Sequence, residues 1–126
     1  MSKSLYAKAF NTHLLEFFDD LKLIFPEERD VSVGKTSCQT LIKMNITTIL
    51  KIWYRYSSPY DQQIVNGDIS FFLEKDYSND LENSGTQAEE VIERLRGPIR
   101  KLDYSNKDKS MKYIQNLTKL AKLYME

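Results

Sequence analysis

Leu14, Phe17, Phe18, Leu21, Ile24 and Phe25 fall three and four positions apart, with Glu16, Asp19, Asp20 and Lys22 set between them. That spacing repeats one face of an α-helix and does not suit a strand, whose side chains alternate every second residue. A helix is expected from about Ser4 to Phe25. Pro26 stops it, because proline lacks the N–H and restricts the residue before it. The same period returns near the C-terminus, where Met111, Ile114, Leu117, Leu120, Ala121 and Tyr124 mark a helix from about Asn106 to Tyr124.

The stretch between these helices is harder to read. In "NITTILKIWYRY", Asn45 to Tyr56, β-branched and aromatic residues favour a strand. Thr47, Lys51 and Arg55, however, recur every four residues opposite Ile46, Ile49, Leu50 and Trp53, and Asn45 is a good N-cap, so a helix is expected. Ser58-Pro59 reads as cap and first residue of a short helix through "YDQQIVN", which Asn66-Gly67 ends. Ile69, Phe72 and Leu73 suggest one or two further turns, and "SNDLENSG", Ser78 to Gly85, reads as a loop. Thr86-Gln87-Ala88-Glu89 forms a capping box, in which the hydroxyl and carboxylate each satisfy a free backbone N–H. The helix it opens should bury Val91, Ile92, Leu95, Ile99 and Leu102, with Gly97-Pro98 kinking or interrupting it.

No segment reads convincingly as a strand. The expected fold is all-α, a compact single-domain bundle of five or six helices covering residues 1–126. Apolar residues make up 41% of the chain and aromatics 12%, a globular composition that can build a core without disulfides or metal. Cys38 is the sole cysteine, so an internal disulfide is excluded and a reducing compartment fits. The first 21 residues lack the layout of a secretion signal, and no apolar run approaches ~18 residues. An intracellular protein without membrane association is expected.

"RDVSVGKTSC", Arg29 to Cys38, contains Gly34-Lys35-Thr36, the closing triplet of a phosphate-binding loop. The loop needs a first glycine five residues earlier, where Arg29 stands, and a preceding strand, where the helical period runs. Nucleotide binding is therefore not expected, and Gly34 reads as a turn before the helix "KTSCQTLIKM". His13 has no identifiable triad or metal partners, and Cys38 has no neighbouring ligand. Asp19-Asp20, Glu27-Glu28 and Glu89-Glu90 are adjacent on helices, so their side chains diverge by ~100° and do not converge on one ion. Asp76, Asn79 and Asp80 lack the glycine and terminal glutamate of a calcium loop. No catalytic, cofactor or metal site is expected, and the chain does not read as an enzyme.

Net charge is zero but unevenly spread. Residues 59–93 carry nine acids against Lys75 alone, and residues 94–126 carry nine bases against Asp103, Asp108 and Glu126. An acidic segment packed beside a basic one is the simple reading; a basic patch for nucleic acid is the sharper one. The series Trp53, Tyr54, Tyr56, Tyr60, Phe71, Phe72 and Tyr77 suits core packing, yet it leaves room for an exposed contact surface, since aromatic side chains anchor interfaces.

"NTHLLEFFDDLKLIFPEERDV", "KIWYRYSSPYDQQIVNGDISFFLEKDYSNDL" and "MKYIQNLTKLAKLY" resemble a group of small helical proteins encoded by nucleocytoplasmic large DNA viruses, particularly algal ones. The resemblance follows the order of segments over most of the chain and is most specific from Pro59 to Ser78. It implies a viral origin, a helical fold and a place in the host cytoplasm or nucleus, with packaging in the virion left open. It carries over no activity and no site residue. The expected function is a non-enzymatic module that binds another protein, viral or host, or a second copy of itself. Tyr60, Ile64, Asp68, Phe71, Phe72 and Tyr77 are its candidate contact or organising residues. The alternative is a nucleic-acid accessory protein using the basic third from Arg94 to Lys122.

Overall fold

The computed structural model of the chain describes residues 2–70 and 87–126. Among them α1 (Lys3–Ile24), α2 (Arg29–Met44), α3 (Thr48–Ser57), a 3₁₀ turn (Ser58–Tyr60), α4 (Asp61–Val65), α5 (Gln87–Arg100) and α6 (Tyr104–Met125) follow in order. No strand occurs among the described residues, and the helices pack as an all-α bundle.

In order of contact the long helices run α6, α1, α2 and α5, each packed on the next. Neighbours in this row run antiparallel. Phe18 of α1 meets Gly34 of α2, while Asn11 donates from Nδ2 to the Ile46 carbonyl just past the end of α2. Phe17 stacks on Tyr113, while Lys3 lies over Tyr124. Glu28 pairs with Lys101, while Asp30 pairs with Arg94. α3 packs against all four long helices, and its buried Ile49, Leu50 and Trp53 close the core. Each such fully buried large side chain contributes about 1.5–3 kcal/mol.

α1 follows the expected stripe, with Leu14, Phe17, Phe18 and Leu21 buried, but it ends at Ile24, which is exposed. α2 departs from expectation. Gly34 is not a turn: the helix begins at Arg29, five residues earlier, and carries Gly34 inside it. Val31, Gly34, Cys38 and Leu41 form its buried stripe, and Gly34 is where α1 and α5 approach closest. A Cβ built there would sit 2.6 Å from Phe18 Cε1 and 2.9 Å from Arg94 Cβ. Close packing thus outweighs the helix penalty of glycine, about 1 kcal/mol.

α3 begins at Thr48, because Asn45 forms a turn in which Oδ1 accepts from the N–H and Oγ1 of Thr47. Ser58 does not cap a new helix. Its hydroxyl donates back to the Tyr54 carbonyl at 2.6 Å, and the 3₁₀ turn carrying Pro59 leads directly into α4. Gly67, at φ 75°, ends that short helix as expected. α5 is described from Gln87 onward, and Thr86 of the expected capping box lies outside the described residues, as do Phe72, Leu73 and the 78–85 loop.

The five apolar positions expected on α5 and just beyond it are buried. The interruption at Gly97-Pro98 does not occur, and α5 continues two residues beyond Pro98. Gly97 has no Cβ to collide with the proline ring, and the helix closes at once through Lys101 N–H to the Pro98 carbonyl. α6 starts at Tyr104, capped by Asp103, whose carboxylate accepts from the Asn106 N–H at 2.9 Å.

Candidate functional site

Lys35 and Thr36 lie on the α2 helix, and the Lys35 ammonium pairs with Asp19 across to α1. The triplet is therefore helix surface, with no loop to cradle a phosphate. Cys38 is completely buried, and desolvation pushes its thiol up to about 12, which removes the thiolate as a nucleophile near neutral pH. Among the described residues no group of three His, Cys, Asp or Glu side chains is arranged to hold a metal ion.

His13 belongs to an aromatic cluster between α1 and α6. The Phe17 and Tyr113 rings stack almost parallel, with centroids 4.6 Å apart, and the imidazole lies 4.7 Å from the Tyr113 ring at 36°. The Tyr113 hydroxyl donates to Asp20. Burial raises the Tyr113 pKa above its ordinary value, and the bond to Asp20 adds to the shift. Burial also lowers the His13 pKa, with Glu16, 3.9 Å from Nδ1, pulling the other way. Nε2 is enclosed without a hydrogen-bond partner among the described residues. The imidazole meets the face of Tyr113, while the phenol proton points to Asp20, so the cluster does not form a proton relay.

Beside this cluster, where the end of α1 faces the start of α6, opens a cleft of about 210 Å³. Phe17, Leu21 and Tyr113 line it together with Leu23, Ile24 and Lys109. Leu23 is 82% exposed and Ile24 39%, and at the same end of the bundle Tyr104 is 89% exposed. These are large apolar side chains held in water by otherwise well-packed helices. The signal for this surface was present in the sequence: Leu23 falls off the apolar stripe of α1, at a position where the period calls for a polar residue.

A second cleft of about 280 Å³ lies among α3, α4 and the end of α6. Its polar groups bond to one another: Lys122 to Asp61 at 2.7 Å, Tyr54 to Glu126 at 3.0 Å, and Ser58 to the Tyr54 carbonyl. Behind it, the Trp53 indole N–H donates to Thr118 Oγ1 at 3.0 Å. This network ties the elements together.

The candidates in the 59–78 segment separate into three groups. Ile64 is 2% exposed and fixes α4 to the core, so it organises the segment and cannot be a contact. Gln115 donates to its carbonyl at 2.9 Å. Tyr60 is half-buried against the core. Asp68 is exposed, and its carboxylate accepts from the Ser70 N–H and hydroxyl in a local turn. Phe71, Phe72 and Tyr77 lie outside the described residues. Between the accessible pair stands Val65, 66% exposed.

The basic C-terminal third is neutralised in part. Arg94 bonds Asp30 and Glu90, Arg96 bonds Glu93, Lys101 bonds Glu28, Lys112 bonds Asp108, and Lys122 bonds Asp61. Arg94 and Lys122 have raised pKa values chiefly through these hydrogen bonds. The acidic and basic segments thus pair in part with each other. No helix among the described residues is long and apolar enough to cross a membrane. The chain matches no protein family, no curated protein and no solved structure. Its sites therefore rest on its own geometry.

Proposed function

We propose that the chain is a non-enzymatic protein–protein interaction module, serving a large DNA virus in an infected cell. The observation that carries this reading is the cleft between the end of α1 and the start of α6, with Leu23 at its edge four-fifths exposed. Leu23 and Ile24 together make an exposed apolar patch beside a cleft, the kind of surface at which interfaces form, and Tyr104 at the same end is of the aromatic type that anchors them. The partner surface then includes this cleft in addition to the accessible part of the 59–78 segment.

The test is affinity capture of the tagged chain from infected cells with crosslinking, repeated with Leu23→Glu and with Tyr60→Ala. Leu23 is exposed, so its replacement leaves the fold intact. Loss of specific viral or host proteins with Leu23→Glu supports the cleft. Unchanged retention with Leu23→Glu but loss with Tyr60→Ala moves the site to the 59–78 segment. Retention of no protein by the unaltered chain overturns the module.

A further inference from the structure

Before Glu16 the chain has no acidic residue, and between Asp30 and Asp61 it has none either. These two acid-free stretches are distant in sequence, and the antiparallel packing brings them together. The first half of α1 lies beside the last turns of α2 and of α6, and α3 packs against the same end. The Phe10 and Trp53 rings meet edge-on at 6.0 Å, Asn11 holds the Ile46 carbonyl, and Tyr54 reaches Glu126. Lys3, Lys8, Lys43, Lys51, Arg55 and Lys119 are exposed at this end, and no carboxylate among the described residues pairs with any of them.

Among the described residues, carboxylates near this end are engaged or enclosed: Asp61 bonds Lys122, Glu126 accepts from the Tyr54 hydroxyl, Glu90 at the start of α5 bonds Arg94, and Glu89 is buried. Two of the cations sit against tyrosine rings instead, Lys3 at 5.8 Å from the Tyr124 centroid and Arg55 at 6.0 Å from that of Tyr56. Across the bundle Lys35, Arg94, Lys101 and Lys112 are each matched by an acid, and the described cations without an ion pair there, such as Lys22 and Arg29, stand in segments that also carry Asp19, Asp20, Glu27 and Asp30. Among the described residues, this end therefore carries a group of unmatched positive charges.

We infer that this end binds the sugar–phosphate backbone of single-stranded nucleic acid, with Lys51 and Arg55 of α3 at the centre of the contact. Separated exposed cations can each meet a phosphate of a flexible strand, an arrangement that a stiff duplex cannot bend to follow. This surface differs from the sequence expectation, which placed nucleic-acid contacts in the C-terminal third. It is also independent of the α1–α6 cleft.

The experiment is fluorescence anisotropy of the full chain with a labelled single-stranded oligonucleotide, a duplex of equal length and anionic vesicles, over a range of salt. Each phosphate neutralised on a single strand contributes about 0.7 to the slope of log affinity against log salt, so four contacts weaken binding roughly 600-fold over a tenfold rise in salt. Lys51→Glu with Arg55→Glu should abolish strand binding. Lys22→Glu with Arg29→Glu changes net charge equally at the other end and should leave binding within about twofold of the unaltered chain. Absence of strand binding at low salt overturns the inference, as does equal loss from both charge-reversed pairs. Tighter binding to the duplex or to vesicles than to the strand overturns the assigned partner.

Discussion

Replacing Gly34 by alanine sets two effects of opposite sign against each other at one position. Alanine in a helix interior is favoured over glycine by about 1 kcal/mol, so on propensity alone Gly34→Ala stabilises. The added methyl would sit 2.6 Å from Phe18 Cε1, 3.0 Å from Phe18 Cζ and 2.9 Å from Arg94 Cβ. The Phe18 ring is completely buried, and the Arg94 Cβ is fixed to the α5 backbone. Relief therefore requires α2 to move from both neighbours. Overpacking of this kind costs about 1–3 kcal/mol, and two helices crowded at once place Gly34→Ala toward the upper end. The net expectation is a loss of roughly 1–2 kcal/mol, or several degrees in Tm for a chain of this size. Urea unfolding followed by circular dichroism and by fluorescence of Trp53, the only tryptophan, measures it. Phe18→Leu should be costly alone and much less so beside Gly34→Ala, a coupling of at least about 0.5 kcal/mol. A Gly34→Ala protein more stable than the parent would refute the three-helix contact.

Other perturbations test separate parts of the fold. The His13 pKa is lowered by burial from its ordinary 6.5, so the folded chain binds fewer protons; stability is complete above about 6.5 and falls as pH drops below it. Urea midpoints across that interval should fall more steeply for the parent than for His13→Gln; parallel profiles would remove the His13 contribution. Cys38, buried with its thiol pushed up to about 12, should resist alkylation in the folded chain and react at the unfolded rate in denaturant. Asp103→Ala removes the α6 cap and should cost about 1 kcal/mol by urea unfolding, with Asp103→Asn close to neutral. Gly97→Ala sets a Cβ against the Pro98 ring in a helical conformation, and should lower the urea midpoint although its only close non-local contact is Asp30 Oδ2 at 3.4 Å.

The helices were legible because their signal is local: a stripe such as Leu14, Phe17, Phe18 and Leu21 is written within two turns, and each of these residues is buried. Gly34 misleads for the same reason. A glycine that ends a helix and one that lets two others approach it carry the same letter, and only Phe18 and Arg94, 16 and 60 residues away, tell them apart. Gly97-Pro98 misleads in the opposite direction, since a breaking pair becomes tolerable once the residue before proline has no Cβ.

Charge was the least legible property, because an ion pair depends on what the fold brings near. The bases from Arg94 onward form the densest positive run in the sequence, yet Arg94, Lys101 and Lys122 meet Asp30, Glu28 and Asp61 from elsewhere in the fold. Lys3, Lys8, Lys43, Lys51 and Arg55 form no run, yet antiparallel packing gathers them where no described carboxylate pairs with them. A count along the chain measures how many charges a segment has; a long-range field depends on how many remain unmatched after folding. By that criterion, unmatched cations among the described residues gather at the end built from the start of α1, the last turn of α2, α3 and the end of α6, and charge reversal there should change solution behaviour more than the same reversal among the matched bases of α5.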